Sequence, residues 1–405
     1  MIGRTKLCRP AGPRQGWTAT ALVLLLMLGL GCGPQADWSE LNEQAKQAAG
    51  DGRTEEAEQL WKQALGVAEK TGDEPQQTMT LNNLGEFHRA EGRLDLAIPY
   101  YLDALEIFER SPEANRLELA SSYDNMATHL RLADEVERAA EFYQKALEIR
   151  EVELGPESPE VADALNNLGL LAYLQGDLDR AAELYERSIA GIESGRLAMH
   201  PNMALALTNL AQVQQTRGDL ARAEELFTRA LEIWIANTGL QSVRTAQGQN
   251  NLAEVLRLQG KNEQAELYYD GAIGVLQGQP NGGGYELAAI LNNRALLYRV
   301  EKRYDDAAVD YDRAVAIAEE QLGGSHPELA TMLFNYARVQ DDRGRFDEAA
   351  PMYDRALEMY RATLGESHSS VLMVLETYSS SARGAGQTEL ADELATRVEA
   401  FRGEE

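Results

Sequence analysis

The sequence predicts an all-α solenoid built from pairs of helices, and three observations support this prediction. An asparagine recurs every 42 residues, at positions 83, 125, 167, 209, 251, 293 and 335. A turn residue follows each asparagine by nine positions, a small residue by 14 and an aromatic residue by 18. Good helix formers, chiefly Ala, Leu, Glu, Arg and Gln, dominate the period. A fixed period with such residues at fixed offsets is typical of stacked repeats.

The composition excludes some classes of protein. The 405 residues include 38 basic and 65 acidic side chains, which gives a net charge of −27. A chain this acidic repels the phosphates of nucleic acid, so no nucleic-acid partner is expected. Both cysteines, Cys8 and Cys32, lie in the first 32 residues. The repeats therefore contain no disulfide or cysteine-based zinc framework.

The first 31 residues have the features of an export signal. A basic start is followed by an apolar run from Trp17 to Leu30. The run is shorter than the roughly 20 residues that span a bilayer, but it fits the core of a signal peptide. Cys32 follows directly after Gly31, and these residues resemble the lipobox of bacterial lipoproteins. Gly29 departs from that motif, in which a leucine is preferred.

The lipobox resemblance implies that Cys32 is lipidated and becomes the first residue of the mature chain. Residues 32–37 are then a lipidated tether to the bacterial cell envelope, with the periplasmic side of the outer membrane favoured over the inner membrane. An ordinary secretory signal, or an uncleaved anchor with an incidental cysteine, is the alternative interpretation.

The repeats are expected over residues 38–402, about nine in all, followed by a tail at 403–405. Both end repeats are degenerate, since Glu43 and Thr377 replace the asparagine. In the fourth repeat, helix A is predicted from Pro159 to Leu174 and helix B from Leu178 to about Ile192. Gly176 and Asp177 form the turn between them, and Asp177 is expected to cap helix B.

These repeats resemble a known family. The patterns Leu-x-x-Leu-Gly and Ala-x-x-x-Tyr-x-x-Ala-Leu are similar to the tetratricopeptide repeat. The 42-residue period, the Asn-Asn-Leu run and the Leu-Gly-x-x-His-Pro link resemble the kinesin light chain type. The resemblance implies a right-handed superhelical solenoid whose concave groove binds proteins or peptides. Fold resemblance alone does not identify a partner.

The recurring asparagines are the candidate binding residues. Asparagine is a mediocre helix former, yet it recurs within seven successive A helices. In the resembling family, the asparagine at this place faces the groove and binds the backbone of an extended peptide. An amide suits that task because it both donates and accepts hydrogen bonds. The structural alternative is that the amides bridge helices within the solenoid, or that duplication copied them. The candidates, which we call the ladder asparagines, are Asn83, Asn125, Asn167, Asn209, Asn251, Asn293 and Asn335.

A row of arginines lies six positions after the ladder asparagines. It comprises Arg89, Arg131, Arg257 and Arg299. Because helical spacing brings these side chains near the ladder, they predict a locally basic groove that selects an acidic segment. The alternative is that each arginine pairs with an acidic residue of a neighbouring helix.

The sequence lacks recognisable catalytic or cofactor motifs. It contains no Gly-x-x-x-x-Gly-Lys-Ser/Thr loop and no His-Glu-x-x-His or Cys-x-x-Cys pair. Three histidines, His200, His326 and His368, fall in links and are interpreted as turn and cap residues. We therefore predict a membrane-tethered binding scaffold without enzymatic activity, cofactor or metal. The alternatives are an assembly or pilot lipoprotein of a secretion or pilus machine, or a regulatory subunit of an envelope enzyme.

Overall fold

The computed structural model describes residues 37–110, 116–280 and 282–403. The predicted signal segment and Cys32 lie outside the described residues. Regular structure in the described part is α-helical throughout, as predicted. The helices are α1 (Trp38–Gly50), α2 (Thr54–Thr71), α3 (Glu74–Ala90), α4 (Leu94–Arg110), α5 (Arg116–Leu132), α6 (Val136–Leu154), α7 (Pro159–Leu174), α8 (Leu178–Ser194), α9 (Pro201–Thr216), α10 (Leu220–Thr238), α11 (Val243–Leu258), α12 (Asn262–Gln277), α13 (Gly284–Val300), α14 (Tyr304–Leu322), α15 (Pro327–Asp342), α16 (Phe346–Leu364), α17 (Ser369–Gly384) and α18 (Thr388–Gly403).

The helices fall into two compact units. The first unit ends at Ala114 and contains α1 to α4, whereas the second begins at Asn115 and contains α5 to α18. Within each unit, every odd-numbered helix packs on the even-numbered helix that follows it, and these are the A and B helices of one repeat. Helix α7 has the predicted bounds, and α8 extends two residues beyond the expected Ile192.

The turn between helices A and B depends on one residue with a positive φ angle. Gly176 has φ of 78°, and the amide of the following Asp177 donates to the Ala172 carbonyl at 2.9 Å. Glycine adopts this left-handed conformation without a Cβ penalty, which explains its recurrence at this position. Asp134 and Lys302 occupy the same place with φ of 63° and 61°. The Asp177 carboxylate accepts from the Arg180 amide at 2.9 Å, which confirms the predicted cap.

The core of each repeat is built from the predicted small and aromatic residues. Ala181 and Tyr185 of α8 are buried, one helical turn apart. The Tyr185 ring lies so close to α7 that a Cβ atom on Gly169 would come within 2.6 Å of Cε1. Glycine at this position therefore allows the aromatic ring to fill the space between helices A and B.

Histidines in the links cap the following A helices, as predicted. His200 Nδ1 accepts from the Asn202 amide at 3.2 Å, and His326 Nδ1 accepts from the Glu328 amide at 3.3 Å. His368 caps α17 in the same way. These imidazoles satisfy amides that helix geometry leaves without an intrahelical partner.

Candidate functional site

The ladder asparagines share one side of the A helices, which we call the ladder face. Six of them are half-buried, and Asn335 is only 9% exposed. Within the second unit, α7 contacts α9, α11 contacts α13, and α13 contacts α15. Tyr173 Oη of α7, for example, lies 3.1 Å from Thr216 Oγ1 of α9. The ladder asparagines can therefore interact either with a neighbouring repeat or with a molecule lying across the helices.

In α11, α13 and α15 the amides form a continuous relay. Asn335 Nδ2 donates to Asn292 Oδ1 at 3.3 Å, and Asn292 Nδ2 donates to Asn293 Oδ1 at 3.1 Å. Asn293 Nδ2 then donates to Asn250 Oδ1 at 3.0 Å. These amides bridge neighbouring A helices, as the structural interpretation of the ladder expects.

The same type of bond ties α3 to α1 in the first unit. Asn83 Nδ2 donates to Asn42 Oδ1 at 2.9 Å, and Trp61 Nε1 donates to the same oxygen at 3.1 Å. In each case the ladder asparagine reaches back to the residue just before the ladder position of the preceding repeat. Because Asn42 lies next to Glu43, the degenerate first repeat still supplies this acceptor.

The ladder is not bonded in this way in α5, α7 and α9. Within the described residues, the side chains of Asn125, Asn167 and Asn209 form no hydrogen bond. Two buried acceptors lie directly before them in sequence: Asp124 Oδ1 and Asn166 Oδ1 both lack a hydrogen-bond partner. Asn166 is only 3% exposed. Three successive ladder amides thus retain their full capacity to donate and accept.

Three of the four predicted arginines pair with acidic residues. Arg257 binds Glu254 through Nε at 2.9 Å, and Arg89 pairs likewise with Glu86. Arg299 Nε instead binds Asp342 of the next A helix at 2.6 Å. Arg131 forms no ion pair within the described part of the chain. Among these four arginines, pairing with a neighbouring helix, the alternative expected from the sequence, holds for Arg299, whereas Arg89 and Arg257 pair within their own helices. Arg131 is the predicted arginine without a counter-ion in the described part of the chain.

An exposed aliphatic row follows the ladder at a distance of seven residues. It comprises Leu132 at 45% exposure, Leu174 at 58%, Leu258 at 43% and Val300 at 60%. The row was not predicted from the sequence, although the spacing of seven residues places it on the ladder side of each A helix. In α5 and α7, Leu132 and Leu174 lie beside unbonded amides. This part of the face therefore has a mixed character, which suits contact with both peptide backbone and peptide side chains.

No group of three or more His, Cys, Asp or Glu side chains in the described residues is arranged to hold a metal ion. None of the described helices combines the length and hydropathy that crossing a bilayer requires.

A family model described as Tetratricopeptide repeat matches residues 41–110, 76–151, 118–194, 202–277 and 286–362. No curated protein matches the chain. The apo form of the quorum sensor NprR from B. thuringiensis is a similar solved structure, with 15% identity and a TM-score of 0.60. That match covers 84% of this chain and 91% of NprR.

Two further solved structures are similar. A Rap protein complexed with Competence and Sporulation Factor is 16% identical over 81% of this chain and 98% of its own, with a TM-score of 0.50. Repeats described as those of a kinesin light chain from Podosopora anserina are 21% identical over 51% of this chain and 97% of theirs, with a TM-score of 0.44. At these sequence identities, the similarity is evidence for the fold alone. The family model covers well over half of the sequence, and the chain therefore belongs to the tetratricopeptide repeat family.

Proposed function

We propose that the protein is a binding scaffold without catalytic activity, and that an extended peptide segment of its partner lies across α5, α7 and α9 on the ladder face. One observation carries this proposal: Asn125, Asn167 and Asn209 are three successive ladder amides whose hydrogen-bonding groups are unused. An unbonded, half-buried amide gains from any ligand that supplies both a donor and an acceptor.

The spacing of the helices suits a peptide backbone. Packed helices lie roughly 8–10 Å apart, and an extended chain rises about 3.3 Å per residue. Successive ladder asparagines would therefore meet residues about three positions apart in a peptide that crosses the A helices. The Rap protein, which has a similar fold, is complexed with Competence and Sporulation Factor, so an arrangement of this kind can hold a partner.

The neighbouring side chains indicate what such a peptide contains. Leu132, Leu174 and the half-buried Leu170 offer apolar contacts beside the ladder. Arg131 is half-buried and has no counter-ion among the described residues. A segment that combines aliphatic residues with one acidic residue near α5 would satisfy both features. This keeps the predicted acidic preference but restricts it to one end of the bound segment.

The experiment is a selection of linear peptides from a random library on the full chain, followed by affinity measurements. Replacing Asn167 and Asn209 together with alanine should weaken the selected peptide roughly 5- to 150-fold, because two neutral hydrogen bonds are lost. The matched control replaces Asn293 and Asn335, whose amides are already bonded within the protein. It should melt at a lower temperature yet bind normally when folded. Equal affinity losses in the two double variants would refute the proposal.

We also propose that Cys32 is lipidated and tethers the scaffold to the bacterial envelope, on the outer membrane. The support is the sequence around Cys32, which lies outside the described residues. A fatty-acid analogue should label the wild type in intact bacteria but not Cys32→Ala, while Cys8→Ala should label normally. Labelling of Cys32→Ala at the wild-type level would exclude this site.

A further inference from the structure

A pocket lies towards the C-terminal end of the ladder face, away from α5, α7 and α9. It has a volume of about 470 Å³, and α13, α15, α16 and α17 contribute its walls. The lining residues are Arg299, Arg338, Asp341, Asp342, Tyr353, Glu376, Thr377, Ser380 and Ser381. Arg338 occupies the position three residues after Asn335, which places it beside the relay.

Arg338 is a half-buried cation without a counter-ion in the described part of the chain. Its guanidinium carbon lies 5.5 Å from the centre of the Phe334 ring. Burial, followed by the positive charge of Arg299, lowers the pKa of Arg338. The side chain is therefore held in a place where its positive charge is poorly compensated, and an incoming anion would stabilise it.

The acidic residues of the pocket are engaged elsewhere. Asp341 accepts from Tyr353 Oη at 2.5 Å and from Ser381 Oγ at 2.6 Å. Asp342 binds Arg299, and Glu376 pairs with Arg402 Nη2 at 2.5 Å. Asp341 and Asp342 lie one helical turn after Arg338, where they would normally pair with it. Their other partners explain why Arg338 is left without an ion pair.

We propose that this pocket binds a single carboxylate, with Arg338 as its main donor and the Ser380 and Thr377 hydroxyls beside it. A guanidinium presents two parallel N–H groups that match the two oxygens of a carboxylate. A phosphate would bring a second negative charge close to Asp341 and Asp342, which disfavours it. The ligand class is therefore an acidic side chain of a peptide. Carboxylate binding in this pocket does not involve the amides of α5, α7 and α9.

The first test maps the pocket chemically on the wild-type full chain in detergent. Phenylglyoxal modifies accessible guanidinium groups, and mass spectrometry locates the product. Arg338 should react faster than Arg257 and Arg299, whose guanidinium groups are paired. The tripeptide acetyl-Ala-Glu-Ala-amide should protect Arg338 from phenylglyoxal. The matched tripeptide acetyl-Ala-Gln-Ala-amide should protect it at least about tenfold less effectively. Equal protection by the two tripeptides, or an unreactive Arg338, would overturn the proposal.

The second test measures binding of the same glutamate tripeptide by saturation-transfer difference NMR. Arg338→Gln should lose the signal, whereas Arg345→Gln, which removes an exposed arginine directly before α16, should keep it. Asn167→Ala/Asn209→Ala should also keep it, so that failure of this pocket can be distinguished from failure of the ladder proposal. Inorganic phosphate should compete less well than acetate. Signal retained in Arg338→Gln, or stronger competition by phosphate than by acetate, would overturn the assignment. If Arg338→Gln does not fold, the phenylglyoxal mapping of the wild type still tests whether Arg338 binds a carboxylate.

Discussion

Asn293 Nδ2 donates to Asn250 Oδ1 at 3.0 Å, between residues 43 positions apart in the chain. The bond ties α13 to α11, and Asn335 forms the equivalent bond to Asn292. The same residue type at the same repeat position, Asn167, has no hydrogen-bond partner among the described residues. One sequence motif thus has two structural roles in a single unit: it links neighbouring A helices from α11 to α15 and leaves unbonded amides in α5, α7 and α9.

Asn293→Ala should destabilise the protein, and Asn167→Ala should not. The first change removes a hydrogen bond between helices and leaves Asn250 Oδ1 without its donor, at a cost of about 0.5–1.5 kcal/mol. The second removes an unbonded amide and introduces a better helix former. Thermal unfolding followed by circular dichroism measures both effects. If both variants melted at the same lower temperature, the ladder would be structural along its whole length.

Gly169→Ala should lower stability by about 1–3 kcal/mol, because the new methyl group would displace the buried Tyr185 ring. The matched control is Gly274→Ala in α12, where the added methyl group meets nothing within 4 Å. That change should raise stability by up to about 1 kcal/mol, since alanine is the better helix former. Chemical denaturation compares the two variants. A destabilised Gly274→Ala variant would contradict the packing argument.

The fold could be predicted because each repeat contains the short-range sequence signals that determine its helix pair. The residue with positive φ, the buried alanine and the buried tyrosine occupy fixed positions, and each position has one physical requirement. The pairing of Arg257 with Glu254 was also open to prediction from their spacing of three residues. Arg131 has Thr128 at that spacing, which supplies no negative charge and leaves the arginine without a local partner.

The division of the ladder could not be predicted in this way. Asn166-Asn167 and Asn292-Asn293 are identical pairs in sequence, but only the second pair is joined to its neighbours. Whether an amide reaches the next helix depends on side-chain rotamers and on differences of a few tenths of an ångström between helices. Repeat spacing does not contain that information. The Arg338 pocket was missed for a related reason, since Asp341 and Asp342 look like its partners in the sequence.

Lowering the pH should stabilise the wild type relative to Asp124→Asn. Burial raises the pKa of Asp124 to about 6; Arg150 opposes this effect, and Asp163 adds to it. The unfolded value is about 3.9, so the folded protein binds the proton more tightly, and stability rises as the pH falls from 7 towards 4. The gain is at most about 3 kcal/mol. Melting temperatures of both proteins across this range test it, and parallel pH profiles would contradict the assignment.

Truncation between repeats should be tolerated better than truncation within one. A chain that ends at Leu322 retains the complete pair of α13 and α14, whereas one that ends at Arg303 lacks α14. Without α14, Ala295 and Tyr298 lose the buried contacts that Ala307 and Tyr311 provide. In stacked repeats each unit depends mainly on its immediate neighbours, so removal of whole units leaves the remainder folded.

The measurement is the helical content and cooperativity of thermal unfolding for the two shortened chains. The chain that ends at Leu322 should melt cooperatively, with helical content in proportion to its length. The chain that ends at Arg303 should contain less helix than its length predicts, because α13 has an exposed apolar face and no partner within its own repeat. If the two chains unfolded with equal cooperativity and proportional helix, the A and B helices would not be the cooperative pair. The alternative unit would then be a B helix with the following A helix, and the Leu322 end point would fall inside it.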